Sequence, residues 1–252
     1  MAEYMTEIQA RKAICEIGDK MYTKGFVAAN DGNISVKISE DMIIVTPTGV
    51  SKGGMSTNSL VKMKLDGTVI GLNKPSSEVK MHIRVYQLNK TVKSVVHAHP
   101  PASTAFAIAR IPMDRPIMSE SILTLGVVPV AEYALPGTKE VPDSIEPYVI
   151  SHNAVLLANH GLLTWGDSIT QAMYRMESAE QYGNIMINLK QIGEPKEFNC
   201  AQVNDLVLIR KNLGIQGGGV HPCENGPAEE NQSSSEAELI MKITRQVLAQ
   251  LT

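Results

Sequence analysis

Apolar positions along this chain switch between two periods. From about residue 5 to 25, Ile8, Ile14, Ile17 and Met21 recur at helical spacing and the pattern stops at Gly25, which predicts an amphipathic helix closed by glycine. Alternation takes over in Asn33-Ile-Ser-Val-Lys-Ile-Ser39. Met42 to Thr46 follows after a polar turn, and residues 60–65 and 68–70 flank the hairpin dipeptide Asp66-Gly67, so four strands are expected here. Helical spacing returns at 76–88, with Pro75 before it, serines at its start, an acid in its first turn and apolar residues at 79, 83, 85 and 88. Beyond it the pattern predicts a strand ending at His97 to His99, a helix over 101–109, extended chain at 127–131, a short helix at 144–151, a strand at 155–158 and a long amphipathic helix over 168–190. The sum is an α/β sandwich rather than a dinucleotide-binding array. No G-x-G-x-x-G occurs, and Gly217-Gly-Gly219 comes late and follows no strand.

The carboxyl-terminal pattern breaks off and restarts. Residues 215–235 are rich in Gly, Pro, Ser and acids and read as a flexible linker after a catalytic domain spanning 1–214. Residues 236–252 then carry an apolar stripe (Leu239, Ile240, Ile243, Val247, Leu248, Leu251) behind an S-x-x-E capping box formed by Ser235 and Glu238, an amphipathic helix that needs a partner surface.

Composition narrows the function without naming it. At 252 residues, 43% hydrophobic and with formal charge -3, the chain is large enough for one substantial domain plus an appendage. The lack of a basic cluster argues against nucleic acid and anionic membranes, and no run of about 18 apolar residues suggests a span. A cytoplasmic protein is expected. Cys15, Cys200 and Cys223 are odd in number and scattered, and read most simply as reduced thiols.

The chemistry concentrates in histidines. In Ser94-Val-Val-His-Ala-His-Pro100, His97 and His99 are two apart on a strand and share a face, so one metal ion could bind both; His160 closes a second apolar run, Ala154-Val-Leu-Leu-Ala-Asn-His-Gly161. Three imidazoles with an open fourth position match the ligand set of a catalytic zinc, with cobalt or manganese also accepted. Three small-residue segments suit an oxyanion: Asp31-Gly-Asn-Ile-Ser35, Thr46-Pro-Thr-Gly-Val-Ser-Lys52, and the Ser76-Ser77 pair at a helix start. Glu78 follows directly. It reads either as a dipole-complementing first-turn acid or as a proton-transfer group beside the metal.

Taken in order, Gly-Asn-Ile-Ser, Thr-Pro-Thr-Gly, Lys-Pro-Ser-Ser-Glu, His-Ala-His-Pro and Asn-His-Gly resemble the class II aldolase and adducin family, in particular its L-fuculose-1-phosphate aldolase branch, over most of residues 10 to 190. The resemblance implies a three-layer α/β/α sandwich around a mixed, largely antiparallel sheet. It implies zinc ligands at His97, His99 and His160, an acid/base at Glu78 that can also touch the resting zinc, and a phosphate site at Gly32, Asn33, Thr48, Gly49, Ser76 and Ser77. It further implies a homotetramer with sites at subunit boundaries and a phosphorylated ketose substrate, cleaved to dihydroxyacetone phosphate and an aldehyde. L-Fuculose 1-phosphate is the first choice, rhamnulose 1-phosphate a second, and lactaldehyde the product of either. Aldolases of that branch handle the C4-oxygen proton with a tyrosine; residues 111–120 hold none, leaving Tyr133, Tyr148 and Tyr174 as substitutes. Rivals on the same fold are a pentulose-phosphate 4-epimerase, which typically has Asp where Glu78 stands, a sulfur-sugar phosphate dehydratase, and a non-enzymatic adducin-like module, which lacks the metal ligands. The tail of 236–252 resembles an encapsulation peptide, which would make a bacterial microcompartment shell protein its partner.

Overall fold

Two apolar layers lie on opposite sides of one sheet in the computed structural model, which describes residues 4–221 and 223. The first helix, α1 (Glu7–Thr23), opens on a capping box in which the Thr6 hydroxyl and the Gln9 side chain each satisfy the other's backbone N–H. Four strands follow, β1 (Asn33–Lys37), β2 (Met42–Val45), β3 (Val61–Lys64) and β4 (Val69–Ile70), then α2 (Val79–Leu88), β5 (Ser94–Ala98) and α3 (Pro101–Ala109). The chain continues through a π-helical turn at 121–125 to β6 (Val130–Ala131), α4 (Glu140–Ile145), β7 (Ala154–Leu157), β8 (Gly161–Gly166), α5 (Ile169–Ile192) and α6 (Cys200–Asn212).

The sheet order is β4-β3-β2-β1-β5-β8-β7-β6, antiparallel throughout except for the parallel β6–β7 pair. Side chains alternate across it. Ile34, Val36, Val96, Ala98 and Leu162 pack beneath α1, α3 and α5, whereas Ile43, Val45, Val95, Leu163 and Trp165 pack beneath α2 and α4. This is the expected three-layer α/β/α sandwich around a mixed, largely antiparallel sheet. Central strands covered on both faces are apolar without interruption, and every residue of β5 and β8 is buried.

The structure departs from expectation in five places. The helix expected from 76 begins at Val79, because Ser76 N donates to Thr46 O at 3.0 Å and Pro47 bridges Pro75, holding 75–76 extended. The helix expected at 144–151 is instead α4 followed by a 3-10 turn at 146–148. Strand β8 and helix α6 were not among the expected elements. The front of the expected linker, 215–221, is docked: Gly218 O accepts from Val127 N at 2.9 Å, Gly219 N donates to Ser151 O at 2.7 Å, and His221 is buried. That docking, with α6, brings Cys223 to Cys200, and the two form a disulfide where reduced thiols were expected; Cys15 remains free. The helix expected at 236–252 lies outside the described residues. Among those residues no helix is long and apolar enough to cross a membrane.

Candidate active site

The β1–β5–β8 centre of the sheet sets the site. Asn33 pairs with His97 across β1–β5, and His97 pairs with Leu163 across β5–β8, so His97 is locked in register at the middle of the sheet and is completely buried. His99 lies just past the end of β5 and, two residues on, returns to the same side. His160 sits in the tight turn between β7 and β8, where Asn159 takes a left-handed conformation (φ 56°) that asparagine tolerates better than most residues. The three rings meet, with centroids 5.1, 4.7 and 5.1 Å apart.

Their nitrogens are arranged for a cation. Nδ1 of His97 donates to Leu162 O at 2.9 Å, which turns Nε2 inward, and Nδ1 of His99 faces Asp31 Oδ2 at 3.4 Å, which does the same. Both Nε2 atoms are buried and have no hydrogen-bond partner. Leaving such atoms unsatisfied is costly, and one ring nitrogen of each histidine lies within 4.8 Å of the others, so the triad fits a divalent metal. Burial pushes His97 down to about 3 and lowers His99, so both are neutral near pH 7, the ligating form.

Glu78 closes the fourth side. It occupies the residue before α2 but makes no capping bond; its carboxylate instead lies 3.1 Å from His160 Nε2 and 3.5 Å from His97 Nε2, and Asn33 Nδ2 donates to it at 2.8 Å. Burial acts to raise its carboxyl, but the imidazoles of His97 and His160 and the Asn33 amide outweigh this and hold it well below the usual range. The Glu78 side chain is therefore turned to the triad and does not cap α2.

Above the triad lies a cleft of about 220 Å³ lined by Asn30 to Asn33, Pro47 to Gly49, Ser76 to Glu78, His99 and His160. All three small-residue segments expected to hold an oxyanion converge here. Gly32 and Gly49 have φ of 75° and 71°, which turn the loops tightly, and a Cβ on Gly32 would lie 2.9 Å from His97 O. Thr48 N donates to Lys74 O and Ser76 N to Thr46 O, lacing the second loop to the third. One residue behind these loops has a role that the sequence reading did not give it. Lys52 is 1% exposed and its amine donates to Asn30 O at 2.9 Å and Val50 O at 2.5 Å, tying the first loop to the second. Tyr133, Tyr148 and Tyr174, the substitutes considered for the C4-oxygen proton, are not among the lining residues; Tyr133 and Tyr174 are exposed elsewhere, and the Tyr148 hydroxyl reaches Val130 O.

Comparison with known proteins agrees with this geometry. The model of the Class II Aldolase and Adducin N-terminal domain matches residues 12–187. A 5-deoxy-D-ribulose 1-phosphate aldolase of Bacillus thuringiensis serovar kurstaki is 35% identical over 209 residues, 82% of this chain and 97% of that one. A 3-oxo-tetronate 4-phosphate decarboxylase of Escherichia coli (strain K12) is 29% identical over 187 residues, 73% of this chain and 88% of its own. The solved structure of an L-fuculose 1-phosphate aldolase superposes with a TM-score of 0.74 at 29% identity, covering 81% of this chain and 96% of that one.

Proposed function

Because the chain belongs to the class II aldolase and adducin family, we propose that it is a metal-dependent aldolase that cleaves a ketose 1-phosphate between C3 and C4 into dihydroxyacetone phosphate and a short aldehyde. One observation carries the reading: three inward-facing imidazole nitrogens and the Glu78 carboxylate meet at the floor of a cleft whose walls are the three small-residue segments. His97, His99 and His160 would hold the metal, zinc by preference and cobalt or manganese as alternatives, and Glu78 would touch it at rest. The bound ion supplies a Lewis acid for the charge that develops on the ketose oxygens.

The remaining steps belong to the chain. Gly32, Asn33, Thr48, Gly49, Ser76 and Ser77 bind the phosphate through backbone N–H groups, the amide and hydroxyls, which fixes the sugar's first three carbons against Glu78. On cleavage the C4 hydroxyl loses its proton, C4 becomes the aldehyde carbon, and the bonding pair stays with C3. Glu78 delivers a proton to C3, and in condensation its carboxylate removes one. L-Fuculose 1-phosphate, giving lactaldehyde, is the first substrate to test, with rhamnulose 1-phosphate beside it; the 5-deoxy-D-ribulose 1-phosphate named for the 35% identical relative would give a two-carbon aldehyde by the same cut. Assembly as a homotetramer would set a neighbouring copy against the cleft and supply the C4 side that these lining residues leave bare.

A second reading has its own support. A 3-oxo-tetronate 4-phosphate, the substrate named for the relatives in Escherichia coli and Haemophilus influenzae, becomes dihydroxyacetone phosphate by losing carbon dioxide. Decarboxylation leaves the same electron pair on the same carbon and needs no base for a C4 hydroxyl, the one role that no tyrosine of the cleft fills. Retention of the triad speaks against an adducin-like module, and Glu78 in place of Asp against an epimerase. Incubating the zinc-loaded protein with each sugar phosphate and identifying the co-product as aldehyde or carbon dioxide decides between the two. Glu78→Gln, with its metal content measured, should lose about 10²- to 10⁴-fold in turnover; full activity in that variant would sink the proton-transfer role.

A further inference from the structure

Behind Glu78 runs a buried polar chain that the proposed chemistry does not use. Glu78, directly before α2, and His82 and Tyr86 within it are four apart and fall on one side, while Asn33 and Ser35 are two apart and share one face of β1. Where these faces meet, Asn33 Nδ2 donates to Glu78 Oε2 at 2.8 Å, His82 Nε2 lies 2.6 Å from Asn33 Oδ1, Ser35 Oγ lies 2.7 Å from His82 Nδ1, and the Tyr86 hydroxyl lies 2.7 Å from Ser35 Oγ and 3.0 Å from Ser35 O. Asn33 is 1% exposed and Ser35, His82 and Tyr86 are fully buried, so no solvent competes for these bonds.

The donor inventory fixes the direction of the bonds from Glu78 through His82 to Ser35. A carboxylate only accepts, so Asn33 must present its NH₂ to Glu78 and its carbonyl to His82. That carbonyl only accepts, so His82 must carry its proton on Nε2, which leaves Nδ1 as an acceptor for the Ser35 hydroxyl. The Tyr86 hydroxyl then donates into the Ser35 end. Burial pushes the His82 imidazole down to about 3, so it stays neutral and this polarity does not change over the working range.

We infer that His82 is a positioning residue for Glu78: by holding its Nε2–H tautomer against Asn33, it prevents the Asn33 amide from turning over and keeps the amide NH₂ on Glu78 Oε2. The other carboxylate oxygen, Oε1, is thereby left toward His160 and the cleft. If the amide turned over, a carbonyl would face the carboxylate, and Glu78 would swing off its position. The inference rests on the role proposed for Glu78, and its test is built so that either can fail alone.

Nitrogen-15 spectra of the histidine-labelled, zinc-loaded protein, with the His82 resonances assigned by their loss in His82→Gln, should show the neutral Nε2–H form at pH 7. An Nδ1–H form overturns the inference whatever the reaction proves to be, because the measurement needs no substrate. In turnover of L-fuculose 1-phosphate, His82→Leu should lower kcat about 10- to 100-fold with zinc content within about threefold of the parent. His82→Gln, whose NH₂ can reach the Asn33 carbonyl from the same side, should recover kcat to within about threefold. A purely structural role predicts equal damage from both substitutions, so equal damage, or a His82→Leu kcat close to the parent's, refutes it. Should His82→Leu fail to fold, Ser35→Ala takes its place: removing the donor to Nδ1 should shift the tautomer toward Nδ1–H and lower kcat together, and a shift without a fall in kcat is equally fatal. Inactivity of the parent toward ketose 1-phosphates and 3-oxo-tetronate 4-phosphate alike would instead retire the functional reading and leave the tautomer result standing.

Discussion

Gly161→Ala isolates how tightly the metal-site geometry is set by backbone packing. Gly161 opens β8 directly after His160, opposite Leu157, and its φ lies outside the left-handed region, so alanine meets no conformational penalty there. The obstacle is space. An added Cβ would lie 2.5 Å from Ala98 O and 2.6 Å from His99 Cδ2, the latter about 0.8 Å inside ordinary contact. Ala98 O belongs to the β5 backbone in the middle of the sheet and cannot give cheaply, so the start of β8 must shift away from it beside His160, and the imidazole of His99 must move as well. Metal sites tolerate about 0.2 Å of error per ligand, and a displacement several times larger should cost zinc affinity at least the roughly 10- to 100-fold that loss of a supporting contact does. Overpacking should also lower stability by about 1–3 kcal/mol. Zinc titration against a chromophoric chelator gives the first quantity and urea unfolding of the metal-free protein the second. An affinity within about threefold of the parent, with the expected loss of stability, would show that His99 is not held where the structure puts it, and the three-imidazole argument would fail with it.

Three further outcomes follow from the same geometry. Lys52→Met removes the amine that ties the first phosphate loop to the second, leaves two carbonyls short of a donor at roughly 1–3 kcal/mol each, and should weaken competitive inhibition by inorganic phosphate about tenfold; unchanged inhibition would refute its part in the cradle. His82 and His97 both sit near 3 when folded, against 6.5 for the free side chain, so between those values the unfolded chain binds more protons. The metal-free protein should therefore lose stability as pH falls below about 6.5, at up to about 2.7 kcal/mol per pH unit, and be flat above pH 7 as far as these groups are concerned; urea midpoints independent of pH from 4.5 to 6.5 would contradict the burial argument. Zinc at about a hundred times its dissociation constant should stabilise the folded protein by about 2.7 kcal/mol, raising the melting temperature roughly 5–10 °C, an effect that a chelator reverses; no shift would mean that the orphaned nitrogens do not bind it.

The metal triad was legible in the chain because it depends on short-range rules. Strand alternation puts His97 and His99 on one side, and His160 ends an apolar run at a turn, so both halves announce themselves locally. Strand β8 was not, because Gly-Leu-Leu-Thr-Trp-Gly has no period at all: a strand covered on both faces is apolar throughout, and its one hydroxyl, on Thr164, is satisfied internally by Ala172 O at 2.8 Å. Helix α6 and the Cys200–Cys223 pair were hidden for another reason. Only Val203, Val207 and Arg210 of that helix are buried, a stripe too narrow to stand out, and cysteines 23 residues apart meet only because 215–221 folds back.

The chain behind Glu78 shows where local reading stops. In β1 the polar residues Asn33, Ser35 and Lys37 alternate with Ile34 and Val36, a pattern that by itself describes a strand with one wet face. All five residues are buried, because a second helical layer covers the polar face as α1, α3 and α5 cover the apolar one. Polar groups closed off in this way must find partners inside the protein. Asn33 finds Glu78 and His82, Ser35 finds His82 and Tyr86, and Lys37 reaches outward to Glu40 at 3.5 Å. An apolar face there would have packed α2 equally well but left Glu78 with no fixed donor. The alternation that looks like a solvent boundary is thus better understood as the place where the fold trades a dry interface for control of one carboxylate.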